Sequence, residues 1–183
     1  MPSGLHGFIT GQLWLKLKAD VAEMRVFNST DFILAAYFHI RRHLLIQPGW
    51  SCRADVPTPV GSADLTLYQG DRFHCVLLCE CLLKSGVDNF FPADILDDKM
   101  EKLRQMLRYL DKAGSGHGYL FGTFDTAESW FFPTGGGYDA ATMVPGVPQT
   151  MWERQSCFWV PVNCHEFPNY ADWRAKWDKL AEQ

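Results

Sequence analysis

Gly61-Ser62-Ala63-Asp64-Leu65-Thr66-Leu67-Tyr68, Gln69-Gly70-Asp71, and Phe73-His74-Cys75-Val76-Leu77-Leu78-Cys79-Glu80-Cys81-Leu82-Leu83-Lys84 follow one another closely, and their reading decides the fold. In the first stretch Ala63, Leu65 and Leu67 alternate with Asp64, Thr66 and Tyr68, the period of two that marks a strand over Ser62–Tyr68. Gln69-Gly70-Asp71 is a turn signal, so the two runs form a hairpin. The run from Phe73 to Lys84 is apolar on both faces, as in a central strand covered on both sides.

Outward from this hairpin the chain alternates helical and extended patterns. Upstream, Leu13, Leu17, Val21 and Met24 space a helix over Leu13–Phe27. Asn28-Ser29-Thr30 offers capping chemistry for a second helix, Asp31 to Ile46, ended by Gln47-Pro48-Gly49. Cys52–Val56 reads as a short strand, followed by an extended or turning Pro57-Thr58-Pro59 link. Downstream, Leu96, Met100, Leu103, Leu107 and Leu110 stripe a helix over Ala93–Lys112. His117–Phe124 reads as a strand, Ser129–Phe132 as a further short one, Ser156–Val162 as a late strand and Tyr170–Ala181 as a closing helix. Pro133–Thr150 is rich in Gly and Pro and reads as a long loop. Over residues 31–124 the order is helix, three strands, helix, strand, an α/β layer fold.

Composition narrows the function. The chain has 183 residues, which suits a single domain over 1–183. Hydrophobic residues are 47% and charged residues 21%, so a disordered or fibrous chain is excluded. The net charge of −4 argues against strong nonspecific binding of nucleic acid by the whole surface. No apolar run reaches the roughly 18 residues of a membrane span. The N-terminus lacks a secretory signal pattern, so the expectation is a cytoplasmic protein without a membrane partner. Six Cys without a Cys-x-x-Cys pair read as reduced core thiols.

Other motifs exclude more than they suggest. His39 and His43 are spaced i,i+4, but no Glu follows His39 as in zinc proteases. Gly135-Gly136-Gly137 lacks the Lys-Ser/Thr of a phosphate-binding loop, and no Gly-x-Ser-x-Gly elbow occurs. The aromatic clusters Trp130-Phe131-Phe132 and Phe158-Trp159 either stack bases or fill a core or dimer contact.

The polar residues inside the hairpin carry the chemistry. A lone carboxylate at Glu80 in so apolar a strand costs several kcal/mol unless a cation, a metal or a proton meets it. Hairpin pairing brings Asp64 near it, and two carboxylates at one sheet face suit a hard divalent cation. Glu80, Leu82 and Lys84 share a face by strand periodicity.

Gly61-Ser62-Ala63-Asp64-Leu65 followed by Cys79-Glu80-Cys81-Leu82-Leu83-Lys84 resembles the active-site hairpin of the PD-(D/E)xK nuclease superfamily, which includes restriction-endonuclease-like and RecB-like nucleases. The resemblance covers residues 29–124, a little over half the chain, and leaves 125–183 as a C-terminal extension. It implies a restriction-endonuclease-like mixed central sheet flanked by helices, with an αβββαβ core. It further implies Asp64 and Glu80 as ligands of Mg²⁺ or Mn²⁺, and the Ala93–Lys112 helix as a donor of polar residues to the site. By position, Asp31 on the first core helix would add an acid, with Glu23 the second choice. The activity implied is metal-dependent hydrolysis of nucleic-acid phosphodiesters, in DNA rather than RNA. The superfamily lysine stands two residues after the acid, and here that position is Leu82. Lys84 is the nearest substitute, on the same face but about 6–7 Å further along the strand. That departure and the acidic net charge motivate the alternative, a nuclease-fold binding module without catalysis. A protein partner that supplies basic surface would reconcile the charge with activity, and a homo-oligomer is a further expected partner arrangement.

Overall fold

A computed structural model describes residues 2–81, 83, 93–125, 152–154 and 156–182. Its helices are α1 (Pro2–Gly7), continued by a π-helical stretch Phe8–Leu13, α2 (Trp14–Ala22), α3 (Ser29–His43), α4 (Ala93–Leu110) and α5 (Tyr170–Ala181). Its strands are β1 (Trp50–Thr58), β2 (Gly61–Gln69), β3 (Arg72–Cys81), β4 (His117–Phe124), β5 (Trp152–Arg154) and β6 (Cys157–Asn163). They form one mixed sheet in the order β1-β2-β3-β4-β6-β5. β1, β2 and β3 are antiparallel neighbours, β3, β4 and β6 are parallel, and β5 returns antiparallel on β6. The fold is therefore α/β, with a mixed central sheet flanked by helices.

Two cores sandwich the sheet. On one face Leu65, Leu67, Cys75, Leu77, Cys79, Tyr119, Phe121, Val160 and Val162 pack with residues of the N-terminal helices, α3 and α5. On the other, Val76, Leu78, Leu120 and Trp159 pack under Met100, Leu103, Met106 and Leu107 of α4. From Cys75 to Cys79 successive residues of β3 alternate between the two cores, which is why that strand is apolar on both sides. Phe158 and Trp159 are buried in these cores, so neither is placed to stack bases. Gly118 lets α4 lie close to the sheet: a Cβ there would stand 2.9 Å from Leu103 Cγ.

The expected first helix ends five residues earlier than its apolar spacing suggests and starts earlier, at Pro2. Its end is a Schellman motif: Met24 N donates to Val21 O and Arg25 N to Asp20 O, with Met24 at a left-handed φ of 62°. With Met rather than Gly at that position, the stop carries no sequence signature. The next helix begins at Ser29, where Asn28 Oδ1 accepts from Asp31 N at 2.8 Å and Asp31 Oδ2 accepts from Phe27 N at 3.0 Å. It stops at His43 rather than Ile46. β1 runs through Pro57 to Thr58, which an edge strand tolerates. Short β5 carries no periodic pattern to betray it. Lys84, Leu82, the Trp130-Phe131-Phe132 cluster, the expected Ser129–Phe132 strand and the Gly/Pro-rich 133–150 stretch lie outside the described residues.

None of the six cysteines is in a disulfide. Burial pushes the Cys52 and Cys157 thiols up to about 12 and those of Cys75, Cys79 and Cys164 well above their ordinary value. The thiolate is the nucleophile, so at pH 8 a thiol held near 12 is ionised in only about one molecule in 10⁴. Aromatic disulfide reagents are expected to react very slowly with the native chain and to titrate all six thiols once guanidinium unfolds it. Rapid native reaction at more than one thiol would contradict this burial. Among the described residues no helix is long and apolar enough to cross a membrane.

Candidate active site at the open end of the hairpin

The hairpin does not stay zipped. β2 pairs with β3 from Gln69↔Arg72 to Leu65↔Leu77, and the ladder stops there. The β1–β2 ladder keeps its register here, with Ala54↔Leu65 and Val56↔Ala63 paired, but Asp55 and Asp64 are not partnered between them. Between them Asp55 takes a left-handed φ of 53°. A non-glycine residue in that region marks a local strand distortion that re-aims neighbouring side chains. The alternation of β2 breaks opposite it. Ala63 belongs to the core under α4, whereas Leu65 and Leu67 face the opposite core, so the simple alternation expected across Ser62–Tyr68 breaks at Asp64.

Asp64 turns into the gap. Its Oδ2 accepts from Cys79 N at 2.7 Å, satisfying an amide that the ended ladder leaves without a strand partner. Two residues on, Cys81 N donates to Ser29 Oγ at 2.9 Å, so the α3 N-terminus closes the tip of β3 in the same way. Between them Glu80 projects towards α4 and meets Lys99 Nζ at 2.7 Å through Oε1. One helical turn later Lys102 lies over the β1–β2 turn, where a Cβ on Gly61 would be 3.1 Å from Lys102 Nζ. Gly61 also has a φ of +124°, a conformation that calls for glycine there.

Electrostatics ties the four groups together. Burial raises the Asp64 carboxyl above its ordinary range, the Cys79 amide opposes this, and the charge on Glu80 adds to the rise. Lys102 and Lys99 pull it back down. The cluster thus holds two carboxylates within electrostatic reach of each other and two ammonium groups from one helix face. It lies towards the C-terminal end of β3, the edge at which open α/β sheets commonly bind ligands.

The expected residues fare differently. Asp64 and Glu80 come together. Asp31 sits at the α3 cap, where its carboxylate serves Phe27 N, on the side of the sheet opposite α4. It influences the Cys81 thiol. Among the described residues no group of three or more His, Cys, Asp or Glu is arranged to hold a metal ion, so Asp31 does not complete a triad with the pair. His39 meets Asp20 Oδ2 at 2.6 Å, which links α2 to α3. Lys99 and Lys102 carry no strand motif; the only signal for them is their i,i+3 placement beside the Met100, Leu103, Met106 stripe of α4.

No protein-family model matches the chain, and neither a curated protein nor a solved structure does.

Proposed function

We propose that the chain is a metal-dependent nuclease of restriction-endonuclease-like fold that hydrolyses phosphodiester bonds, in DNA rather than RNA. The observation that carries this reading is the aim of Asp64 into the opened β2–β3 seam beside Glu80, with the lysines of α4 across from them. The donor set fits a hard divalent cation such as Mg²⁺ or Mn²⁺, because two carboxylates offer oxygen ligands without the sulfur or imidazole that softer metals favour. When bound, such an ion supplies charge neutralisation at the phosphodiester and a more acidic water.

The chain's own residues have separable parts. Cys79 N fixes the Asp64 carboxylate and leaves Oδ1 for the ion. Glu80 gives Oε1 to Lys99 and would offer the ion its second oxygen, Oε2. Lys102, exposed beside Asp64, puts positive charge where a scissile phosphate would approach. Asp31 is not needed as a ligand in this arrangement. Lys84 keeps, from the resemblance alone, its proposed role of orienting the attacking water.

The rival reading, a nuclease-fold module that binds without cutting, draws on Leu82 and on the Glu80–Lys99 pair, which balances the acid without any ion. The two separate in one assay: labelled single- and double-stranded DNA and RNA, with Mn²⁺ or Mg²⁺, against the Asp64→Ala/Glu80→Ala double variant. Metal-dependent cleavage that the double variant lacks supports the nuclease. Retention of a substrate on the chain with no cleavage under any metal supports the binding module.

A further inference from the structure

Resting on the reading of Asp64 and Glu80 as cation ligands, we infer that Lys99 is a built-in competitor for the divalent ion, an ammonium that occupies the Glu80 end of the site and must give way when the ion loads. Lys99 Nζ stands 2.7 Å from Glu80 Oε1, and the two side chains are only 26% and 29% exposed. Partial burial makes the pair harder to screen than a surface ion pair. A divalent ion on a carboxylate oxygen sits about 2.0–2.1 Å away for Mg²⁺. An ion sharing Oε1 would therefore lie within a few ångströms of the ammonium. Either Lys99 leaves Oε1, or the ion takes Oε2 with the ammonium next to it. Both routes set Lys99 against the ion.

The charge count points the same way. Asp64 and Glu80 are matched by Lys99 and Lys102 within electrostatic reach, so the cluster has no excess negative charge to draw a divalent ion. Lys102 is not equivalent to Lys99: it lies over Gly61 and acts on Asp64, whereas Lys99 bonds Glu80 directly. The flexible four-carbon stem of Lys99 lets its ammonium, once displaced, turn to an approaching phosphate. One residue would then both hold the ion off the free protein and meet the substrate.

The test titrates Mn²⁺ alone into the full chain by isothermal calorimetry, comparing wild type, Glu80→Gln, Lys99→Met and Lys99→Arg, with circular dichroism and melting curves for each. The expected result is Mn²⁺ binding that Glu80→Gln weakens. Lys99→Met should bind Mn²⁺ about fivefold more tightly than wild type, and Lys99→Arg close to wild type. A Lys99→Met dissociation constant equal to or weaker than wild type, with binding still dependent on Glu80, overturns the inference and leaves the site reading standing. Binding indifferent to Glu80→Gln, or absent from wild type and Lys99→Met alike, overturns the site reading and the inference with it. If Lys99→Met melts early, Lys99→Gln replaces it, since it also removes the charge while keeping a polar helix residue.

Discussion

Asp64→Asn is expected to cut metal-dependent cleavage by about 10²–10³-fold with little change in melting temperature, whereas Asp64→Ala is expected to lose the same activity and about 1–3 kcal/mol of stability as well. The two substitutions separate because Asp64 has two jobs. One carboxylate oxygen accepts from Cys79 N at 2.7 Å, at the point where the β2–β3 ladder has ended. Asn keeps an acceptor oxygen for that amide and removes only the charge. Ala leaves a buried N–H without its partner, and an unmet donor costs its full desolvation. Cleavage assays and urea unfolding read the two jobs independently. Full activity in Asp64→Asn would remove Asp64 from the chemistry. Equal stability of the two variants would show that another acceptor takes the Cys79 amide.

Most of the sheet was legible because its signals are local. The run Phe73–Cys81 is apolar on both faces, and β4 and α5 fall where turn residues and apolar spacing place them, at His117–Phe124 and Tyr170–Ala181. What the sequence hid depends on backbone geometry that many residue types adopt only under tertiary constraint. Met24 ends α2 in a left-handed conformation that spacing alone does not foretell. Asp55 takes a left-handed φ opposite Asp64, and Asp64 lies in the seam where the strict alternation of β2 breaks. The carboxylate pair was readable as two polar residues in apolar strands. Its cations were not, because Lys99 and Lys102 reach the pair only through the packing of α4 across the sheet. Asp31 shows the converse. A helix N-terminal acid has a local use, and here capping takes it.

The largest loss of stability is expected from Asp125→Ala, at about 3 kcal/mol, which for a chain of this size lowers the melting temperature by about 6–12 °C. Asp125 follows β4 and is only 5% exposed. Its Oδ2 accepts from Tyr170 Oη at 2.7 Å and Arg174 Nη1 at 2.9 Å, and Oδ1 meets His165 Nδ1 at 3.3 Å. One carboxylate thus ties the turn after β6 and the first two turns of α5 to the sheet. Truncating it strands the Tyr170 hydroxyl and removes a buried charge that faces the Arg174 guanidinium, which also meets Asp178. α5 should then gain hydrogen exchange ahead of the β3–β4 ladder, because Trp173 and Trp177 still pack on the core but Tyr170 and Arg174 lose their tie to Asp125. The same cluster sets a pH signature. Burial and the bond to Asp125 push Tyr170 up to about 12, so the unfolded chain loses this proton first, near pH 10. The stability that the hydroxyl contributes is fully present below about pH 10 and is lost as pH rises towards 12. The gap between wild type and Tyr170→Phe should therefore narrow over that window in denaturant titrations, and a gap that widened there would reverse the assignment. An Asp125→Ala variant within about 0.5 kcal/mol of wild type would mean that α5 is held by its aromatic packing and the Trp173 Nε1–Val21 O hydrogen bond, without Asp125.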